Sequence, residues 1–224
     1  MTLRLALFDC DGTLVDSQHA IVAAMEAGFA VAGLPPPEAN AVRRVVGLPL
    51  VEGVARLLPA GEPRLHVEIA EAYKAAFQDN RLKGRHPEPL YPGVRAALDA
   101  LEAEGLLLGI ATGKSRRGLL ATLQHHGLLE RFVTLQTSDL LPGKPHPDMV
   151  HHAMAEAGVD RTGTVVIGDT TFDVLMARNA GVPCVGVTWG YHAGAELTAS
   201  GAARLVDAFG DVPAAVLGLL DAAR

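Results

Sequence analysis

Short apolar runs alternate with longer stretches of helical periodicity along most of the chain. Five runs have the length and the β-branched or leucine-rich content of buried strands. We predict strands over Leu3–Phe8, Leu106–Ala111, Phe132–Gln136, Thr164–Ile167 and Pro183–Val187. We predict helices over Pro92–Glu104, Arg116–His126, Pro147–Ala157, Phe172–Ala180 and Val212–Leu220. Apolar strands that alternate with helices are typical of a parallel sheet covered on both faces, which predicts a doubly wound, Rossmann-like α/β fold.

One long interval departs from this alternation. Residues 16–86 show helical periodicity in QHAIVAAMEAGFAVAG, EANAVRRVVGLPLVEGVARLLP and RLHVEIAEAYKAAF, and they contain no convincing strand. A connection of this length is not an ordinary loop between a strand and a helix. We therefore predict a helical domain over residues 16–86, inserted into an α/β core domain of residues 1–15 and 87–224, with hinges near Asp16 and in GRHPEPLYPG. The alternative is a set of extra helices packed on the edge of the sheet.

Composition and charge narrow the classes of function. Of the 224 residues, 49% are apolar and 20% are charged, which is ample material for a core. The 19 basic and 25 acidic residues give a net charge of -6, which argues against nucleic acid or an anionic membrane as the main partner. No apolar run approaches the roughly 20 residues of a membrane span, and MTLRLALFD reaches an aspartate too early for a signal peptide. We expect a cytoplasmic protein in which Cys10 and Cys184 are reduced core residues.

Polar residues follow four of the predicted strands at the point where each strand ends or soon after. They are Asp9 and Asp11, Thr112 and Gly113, Lys144, and Asp169 with Asp173. Because the carboxyl ends of parallel strands meet at one edge of a sheet, we expect these side chains to converge. Four converging carboxylates would repel one another and raise one another's pKa values, and a single lysine offsets only part of this charge. The site therefore predicts Mg²⁺, a hard cation that prefers oxygen ligands, as its cofactor.

In the segment LALFDCDGTLVDS, the direction of each side chain can be predicted from strand geometry. If strand geometry continues beyond Phe8, Asp9 and Asp11 point to the same side and Cys10 points away. Gly12 allows a sharp turn that leaves backbone amides free to face an anion. Two carboxylates beside a metal can have separate roles: one can act as the nucleophile, and the other can donate and accept protons.

The order and spacing of DCDGTLVDS, ATGKS, the lysine of GKPHPD and GDTTFD resemble the haloacid dehalogenase superfamily, in particular its phosphatases that are similar to phosphoglycolate phosphatase. The resemblance covers essentially the whole chain. It implies a Rossmann-like core with a helical cap inserted after the first strand. It also implies a phosphatase for a small phosphorylated metabolite, with 2-phosphoglycolate as the first guess.

The resemblance also implies a role for each candidate residue. Asp9 would be the nucleophile that forms an aspartyl-phosphate, and Asp11 would protonate the leaving alcohol and then deprotonate the attacking water. Thr112, the backbone of Gly113 and Lys144 would bind the phosphoryl group. Mg²⁺ would be held by the Asp9 carboxylate, the Asp11 carbonyl and Asp169, with Asp173 as a ligand or directly behind the ligands.

Several alternatives stay open at this point. Haloacid dehalogenases lack an aspartate at the position of Asp11, which argues against that activity. The β-phosphoglucomutase group is reported to have a basic residue in its cap loop, where GLPLVE here has Leu50, so a mutase is disfavoured without being excluded. An inorganic pyrophosphatase is also open. A different class, a receiver-like or non-catalytic phosphate-binding protein, conflicts with the length of the chain and with the completeness of the motifs.

Other residues carry weaker signals. We expect Arg43, Arg44 and Gly47–Leu50 to help select the leaving group. The pairs His125–His126 and His151–His152 lie in predicted helices, where adjacent residues point in different directions, so we expect surface residues rather than a zinc site. Trp189 and Tyr191 follow the fifth strand and belong either to the rim of the site or to a packed loop. The sequence does not indicate an oligomeric state.

Overall fold

The computed structural model describes residues 3–222 and contains one parallel sheet of six strands. The strands are β1 (Arg4–Phe8), β2 (Leu106–Thr112), β3 (Phe132–Thr137), β4 (Thr164–Gly168), β5 (Cys184–Val187) and β6 (Arg204–Val206). Their order across the sheet is β3-β2-β1-β4-β5-β6. This is a doubly wound arrangement, so the predicted fold class is confirmed. The five predicted strands agree with the structure within one residue at each end.

Helices precede or follow every strand. They are α1 (Gln18–Val31), α2 (Ala39–Arg44), α3 (Leu50–Leu57), α4 (Pro63–Leu82), α5 (Val94–Ala103), α6 (Arg116–His125), α7 (Asp148–Ala157), α8 (Thr171–Ala180), α9 (Gly194–Ser200) and α10 (Val212–Ala222). The five helices predicted for the core agree within two residues at each end. β6 and α9 were not predicted, because both are short and neither presents a regular apolar face.

The sheet is covered on both faces, and β1 shows how. Ala6 and Phe8 belong to an apolar cluster with α5, α6 and α10, whereas Leu5 and Leu7 belong to a second cluster with α7 and α8. All four side chains are fully buried. Because successive side chains of a strand point to opposite faces, an apolar strand without alternation requires a layer of helices on each side.

Helices α1 to α4 lie between β1 and β2 in the chain and form an apolar cluster of their own. The buried members of this cluster are Ile21, Met25, Phe29, Val42, Val54, Ile69 and Ala70. α1 packs closely on α4 at Gly28, where a Cβ atom would lie 2.9 Å from the backbone oxygen of Ile69. A separate core agrees with an inserted helical domain, whose limits of residues 16–86 stay a prediction. Of residues 3–222, no helix has the length and apolar character needed to cross a membrane.

The two connections to this insert run side by side. Val15 and Leu90 form an antiparallel bridge, the Asp16 amide donates to the Pro89 carbonyl at 2.8 Å, and the Tyr91 amide donates to the Leu14 carbonyl at 3.0 Å. The chain therefore leaves the core and returns to it at one place, immediately beyond the end of β1. This position places the helical insert over the carboxyl edge of the sheet.

Candidate active site

The register of the sheet brings the predicted site residues to one edge. Phe8, the last residue of β1, pairs with Ile110 of β2 on one side and with Ile167 of β4 on the other. The strand order reverses at β1, and in doubly wound sheets the crevice at such a reversal is the usual binding site. The loops that follow β1, β2 and β4 therefore start close together.

Asp9 and Asp173 share one buried lysine. The Lys144 ammonium nitrogen lies 2.9 Å from Asp9 Oδ2 and 2.6 Å from Asp173 Oδ1, and all three side chains are almost completely buried. Burial raises the pKa of Asp9 to about 6, although Lys144 opposes the shift. Burial alone would lower the pKa of Lys144, but the two carboxylates raise it above its usual value. Lys144 therefore stays charged and holds the two carboxylates in place.

Asp169 completes a group of three buried carboxylates. Oxygen atoms of Asp9, Asp169 and Asp173 all lie within 4.8 Å of one another. Thr13 donates to Asp169 Oδ1 at 2.8 Å, and the Tyr191 amide donates to Asp169 Oδ2 at 2.9 Å. Burial and the neighbouring carboxylates raise the pKa of Asp169 well above its usual range.

This set of donors fits a divalent cation. Three carboxylates at this spacing provide the oxygen ligands that Mg²⁺ prefers, and they carry more negative charge than Lys144 neutralises. A cation among them would favour the ionised forms that burial disfavours. The predicted metal residues Asp9, Asp169 and Asp173 are thus brought together, whereas the Asp11 carboxylate is not in this group.

Gly12 makes the close approach of these loops possible. Its backbone has a φ of +85°, a region that favours glycine, and a Cβ atom here would lie 2.4 Å from Asp169 Oδ2. The same atom would lie 2.7 Å from the Tyr191 ring. The loop after β1 therefore passes directly against the Asp169 carboxylate.

Asp11 has different partners. The Ser17 hydroxyl donates to Asp11 Oδ1 at 2.7 Å, and the Lys114 ammonium nitrogen lies 2.7 Å from Oδ1 and 3.0 Å from Oδ2. Lys114 also lies 3.5 Å from Glu88. Burial alone would lower the pKa of Lys114, but Asp11 and Glu88 raise it above its usual value.

The sequence alone does not identify Lys114 and Ser17 as partners of Asp11. A signal for Lys114 exists in the ATGKS segment, because Lys114 follows Thr112 and Gly113 at the same strand end. The lysine alone does not identify its partner, since Asp11 is 103 residues away in the chain.

Thr112 and Gly113 lie at the end of β2 beneath the helical insert. Thr112 is buried, and its hydroxyl accepts a hydrogen bond from the Lys114 amide at 3.2 Å. The Ser138 hydroxyl donates to the Gly113 carbonyl at 2.8 Å. A Cβ atom on Gly113 would lie 2.8 Å from the Gly47 carbonyl oxygen, so glycine permits the insert to contact this loop.

A cavity of about 630 Å³ lies between the insert and the sheet edge. Asp9, Asp11, Thr112 and Lys114 line its floor. Lys144, Asp169 and Asp173 do not line the cavity and are buried behind these residues. The cavity therefore gives a substrate access to Asp9 and Asp11. Lys144, Asp169 and Asp173 lie behind these two aspartates, away from the cavity.

The segment predicted to select the leaving group divides into two parts. Gly47–Leu50 line the cavity, as expected. Arg43 and Arg44 do not line it. Arg44 instead forms a bidentate ion pair with Glu196, with nitrogen–oxygen distances of 2.6 and 2.8 Å. A role of the two arginines in the choice of leaving group therefore stays a prediction, and the lining of this cavity does not support it. Arg44 joins the insert to the core.

The histidine pairs, the two aromatic residues after β5 and the two cysteines are the other residues for which the sequence made predictions. His125, His151 and His152 are exposed, while His126 is half-buried and its Nε2 contacts the Glu88 carbonyl at 2.8 Å. Trp189 belongs to a packed loop, where its indole donates to the Thr13 carbonyl at 3.1 Å. The Tyr191 hydroxyl lies 3.2 Å from Ser17 Oγ, beside Asp11. Cys10 and Cys184 are buried and unpaired, as predicted.

Comparison with known families adds an independent finding. A family model described as "Haloacid dehalogenase-like hydrolase" matches residues 6–187, which include every predicted site residue. This chain belongs to the haloacid dehalogenase-like hydrolase family. The predicted family membership is confirmed.

Relatives of this haloacid dehalogenase-like hydrolase are similar over nearly its whole length. "Probable phosphatase IndB" from Dickeya dadantii is 36% identical over 219 residues, which cover 96% of this chain and 94% of that protein. A phosphoglycolate phosphatase from Pseudomonas putida is 34% identical over 223 residues, covering 98% of this chain and 81% of that protein. Together with the family, these names confirm the predicted enzyme class, a phosphatase.

The fold has close structural neighbours as well. The crystal structure of "a predicted phosphatase from Clostridium acetobutylicum" superposes with a TM-score of 0.87 at 24% identity, and covers 97% of this chain and all of the other. This similarity supports the fold assignment.

Proposed function

We propose that this protein is a Mg²⁺-dependent phosphatase that hydrolyses a small phosphorylated metabolite through a phosphorylated Asp9. The observation that supports this proposal best is the floor of the cavity. Asp9 and Asp11 are both accessible from it, yet they have different partners: Asp9 contacts Lys144, and Asp11 contacts Lys114 and Ser17. Two carboxylates in separate environments suit two separate chemical tasks.

Asp9 is suited to the role of nucleophile. Its Oδ1 accepts a hydrogen bond from the Cys10 amide at 2.6 Å, and its Oδ2 is held by Lys144 at 2.9 Å. These contacts fix the orientation of the carboxylate, which removes an entropic cost from the attack on phosphorus. Attack forms an oxygen–phosphorus bond at Asp9 and breaks the bond between phosphorus and the leaving alcohol.

Asp11 is suited to the transfer of protons. It donates a proton to the departing alkoxide in the first step and accepts one from the water that hydrolyses the aspartyl-phosphate in the second. A positioned acid–base group contributes about 10²–10⁴-fold to a rate. The remaining acceleration must come from positioning and from charge stabilisation, to which Lys144, Thr112 and the Gly113 backbone amide would contribute. The Gly12 amide, expected from the sequence to face an anion, instead donates to the Val15 carbonyl at 2.9 Å.

Mg²⁺ would be held by the carboxylates of Asp9, Asp169 and Asp173 and by the Asp11 carbonyl. When bound, it would neutralise charge on the phosphoryl oxygens and on the attacking carboxylate. Thr13 and the Tyr191 amide keep Asp169 oriented toward this position, and Thr170 does the same for Asp173, whose Oδ2 accepts from the Thr170 hydroxyl at 2.6 Å.

The names of the relatives make 2-phosphoglycolate the first natural compound to test. A cytoplasmic location and the absence of a nucleic-acid or membrane partner stay predictions. The mutase alternative has a direct test, because a mutase would convert one sugar phosphate into its isomer without net release of phosphate.

The test of the proposed function is phosphate release from p-nitrophenyl phosphate by the purified protein. We expect turnover with Mg²⁺, loss of turnover in EDTA, and recovery when Mg²⁺ is restored.

Asp9→Asn should lower kcat by at least about 10³-fold, because the amide is a poor nucleophile of nearly the same shape. An unchanged circular dichroism spectrum and melting temperature would show that this variant is folded. Turnover that persists in EDTA would contradict the metal requirement, and normal kinetics of Asp9→Asn would remove Asp9 from the mechanism.

A further inference from the structure

The cavity above Asp9 is larger than the leaving group of the first compound to test requires. Its volume of about 630 Å³ falls in the range of roughly 300–1,000 Å³ that is typical of sites for drug-sized ligands. Glycolate, the alcohol released from 2-phosphoglycolate, has only two carbon atoms. Most of the cavity would therefore stay unfilled around that molecule.

The wall that faces the leaving group is mainly apolar. It comes from the helical insert and includes Met25 of α1, Val46 and Leu48 of the loop before α3, and Tyr73 and Phe77 of α4. Tyr73 and Phe77 lie one turn apart, and their ring centroids are 5.8 Å from each other at a tilt of 32°. Apolar and aromatic surface of this kind gains free energy when an apolar group displaces water from it.

Of the four described cations that line the cavity, three are paired. Lys114 contacts Asp11 and Glu88, and Arg81 contacts the same Glu88 at 2.7 Å. Lys74 pairs with Glu71 at 2.7 Å. Among the described residues that line the cavity, Arg117 is the one cation without such a partner, and it is exposed to solvent. Among the described lining residues, a second negative group on the leaving alcohol, such as the glycolate carboxylate, would therefore find an unpaired cation at Arg117 alone, where solvent screens the interaction.

From this lining we propose that the natural leaving group is an uncharged alcohol that carries a ring and has a largely apolar surface. This inference rests on the proposed phosphatase function and names the substrate class of the same site. The phosphoryl group lies at Asp9 and Thr112, and the ring lies against Met25, Leu48 and Tyr73. Binding of the ring excludes water from the reacting end of the cavity, which strengthens the electrostatic contacts made there.

The test compares three phosphate monoesters that each release a primary alcohol: benzyl phosphate, ethyl phosphate and 2-phosphoglycolate. With the Mg²⁺-loaded protein, we expect kcat/KM for benzyl phosphate to exceed both other values by about tenfold or more, since small differences in apolar contact change this ratio by such factors. Ethyl phosphate separates the effect of size from the effect of charge.

A substitution in the apolar wall sharpens the comparison. Tyr73→Ala should lower the ratio of the benzyl to the ethyl value by about fivefold or more, since it removes the ring that the benzyl group contacts. Val67→Ala, on the same helix but exposed and outside the cavity, should leave this ratio unchanged. The wild-type comparison stands even if Tyr73→Ala does not fold.

The outcomes separate this inference from the proposed function. Equal values for benzyl and ethyl phosphate, or the highest value for 2-phosphoglycolate, would overturn the ring-bearing leaving group and leave the phosphatase intact. No phosphate release from any ester, including p-nitrophenyl phosphate, would overturn both.

Discussion

At the scale of single residues, Gly12 shows that a site with buried carboxylates can require a position without a side chain. Its φ of +85° is costly for other residues, and a Cβ atom would contact the Asp169 carboxylate at 2.4 Å. The turn at Gly12 brings the Asp169 carboxylate directly next to the loop after β1. Conformational freedom and space are both needed at this position.

Gly12→Ala should therefore lower both stability and activity. A left-handed backbone costs a non-glycine residue about 1–2 kcal/mol, and displacement of Asp169 adds to this cost. We expect kcat/KM for p-nitrophenyl phosphate to fall at least about tenfold and the Mg²⁺ concentration needed for half-maximal activity to rise.

Gly33→Ala is the matched control for this prediction. Gly33 also has a positive φ, of +70°, but no atom lies within 4 Å of the position of its Cβ atom. It should share the loss of melting temperature while activity and Mg²⁺ dependence stay normal. The same kinetic loss in both variants would show that backbone strain alone, rather than contact with Asp169, accounts for the effect.

At the scale of elements, the end of α4 is attached to the core by Arg81. Its guanidinium donates to Glu88 at 2.7 and 3.2 Å, to the Thr122 hydroxyl at 2.9 Å and to the Gly118 carbonyl at 3.3 Å. Glu88 lies in the second connection to the insert and also contacts Lys114, the partner of Asp11. One series of contacts thus joins the position of α4 to Asp11, for which we propose proton transfer.

Arg81→Met should weaken this attachment. Because the Arg81 side chain is 27% exposed, solvent screens part of the interaction, and we expect a loss of about 1–2 kcal/mol. For a chain of this size that lowers the melting temperature by roughly 2–8 °C. We also expect kcat to fall severalfold, since Glu88 would no longer be held beside Lys114.

Lys83→Met provides the control on the same segment. Lys83 is 53% exposed and pairs with Asp79, which is equally exposed, so its loss should change neither the melting temperature nor kcat measurably. If Arg81→Met behaved like Lys83→Met in both measurements, the attachment at Glu88 would have no role in stability or catalysis.

At the scale of the whole molecule, the apolar clusters are divided between the insert and the core. Helices α1 to α4 make their extensive contacts with one another, and Ile69 lies at the centre of their cluster with no exposed surface. Leu101 is equally buried in the cluster beneath α5. Separate clusters joined by two adjacent connections predict that the insert can open while the sheet stays folded.

Ile69→Ala tests this division by hydrogen exchange. The cavity it creates should cost about 2–5 kcal/mol, and we expect faster exchange of the amides of α1 and α4 while β1 and β4 keep their protection. Leu101→Ala should instead reduce protection across the sheet. Equal losses in the insert and the sheet for Ile69→Ala would indicate a single cooperative unit and would contradict the domain limits predicted from the sequence.

The sequence by itself determined the fold class, the five main strands and the set of polar residues at their ends. These features are local: a strand buried on both faces needs a continuous apolar run, and a parallel sheet places the loops after its strands at one edge. For this reason Asp9, Asp169 and Asp173 could be expected to meet. β6 was not predicted because two of its three residues are exposed at the edge of the sheet, so the segment has no continuous apolar run.

Only the tertiary structure decided which charges pair and what surrounds the substrate. Lys144 lies between Asp9 and Asp173, Lys114 pairs with Asp11, and Arg44 contacts Glu196 rather than the cavity. These contacts join residues that are mostly tens to more than a hundred positions apart, and periodicity reports only which face of an element is buried. The apolar wall of the cavity likewise exists only because the insert folds back over the sheet edge.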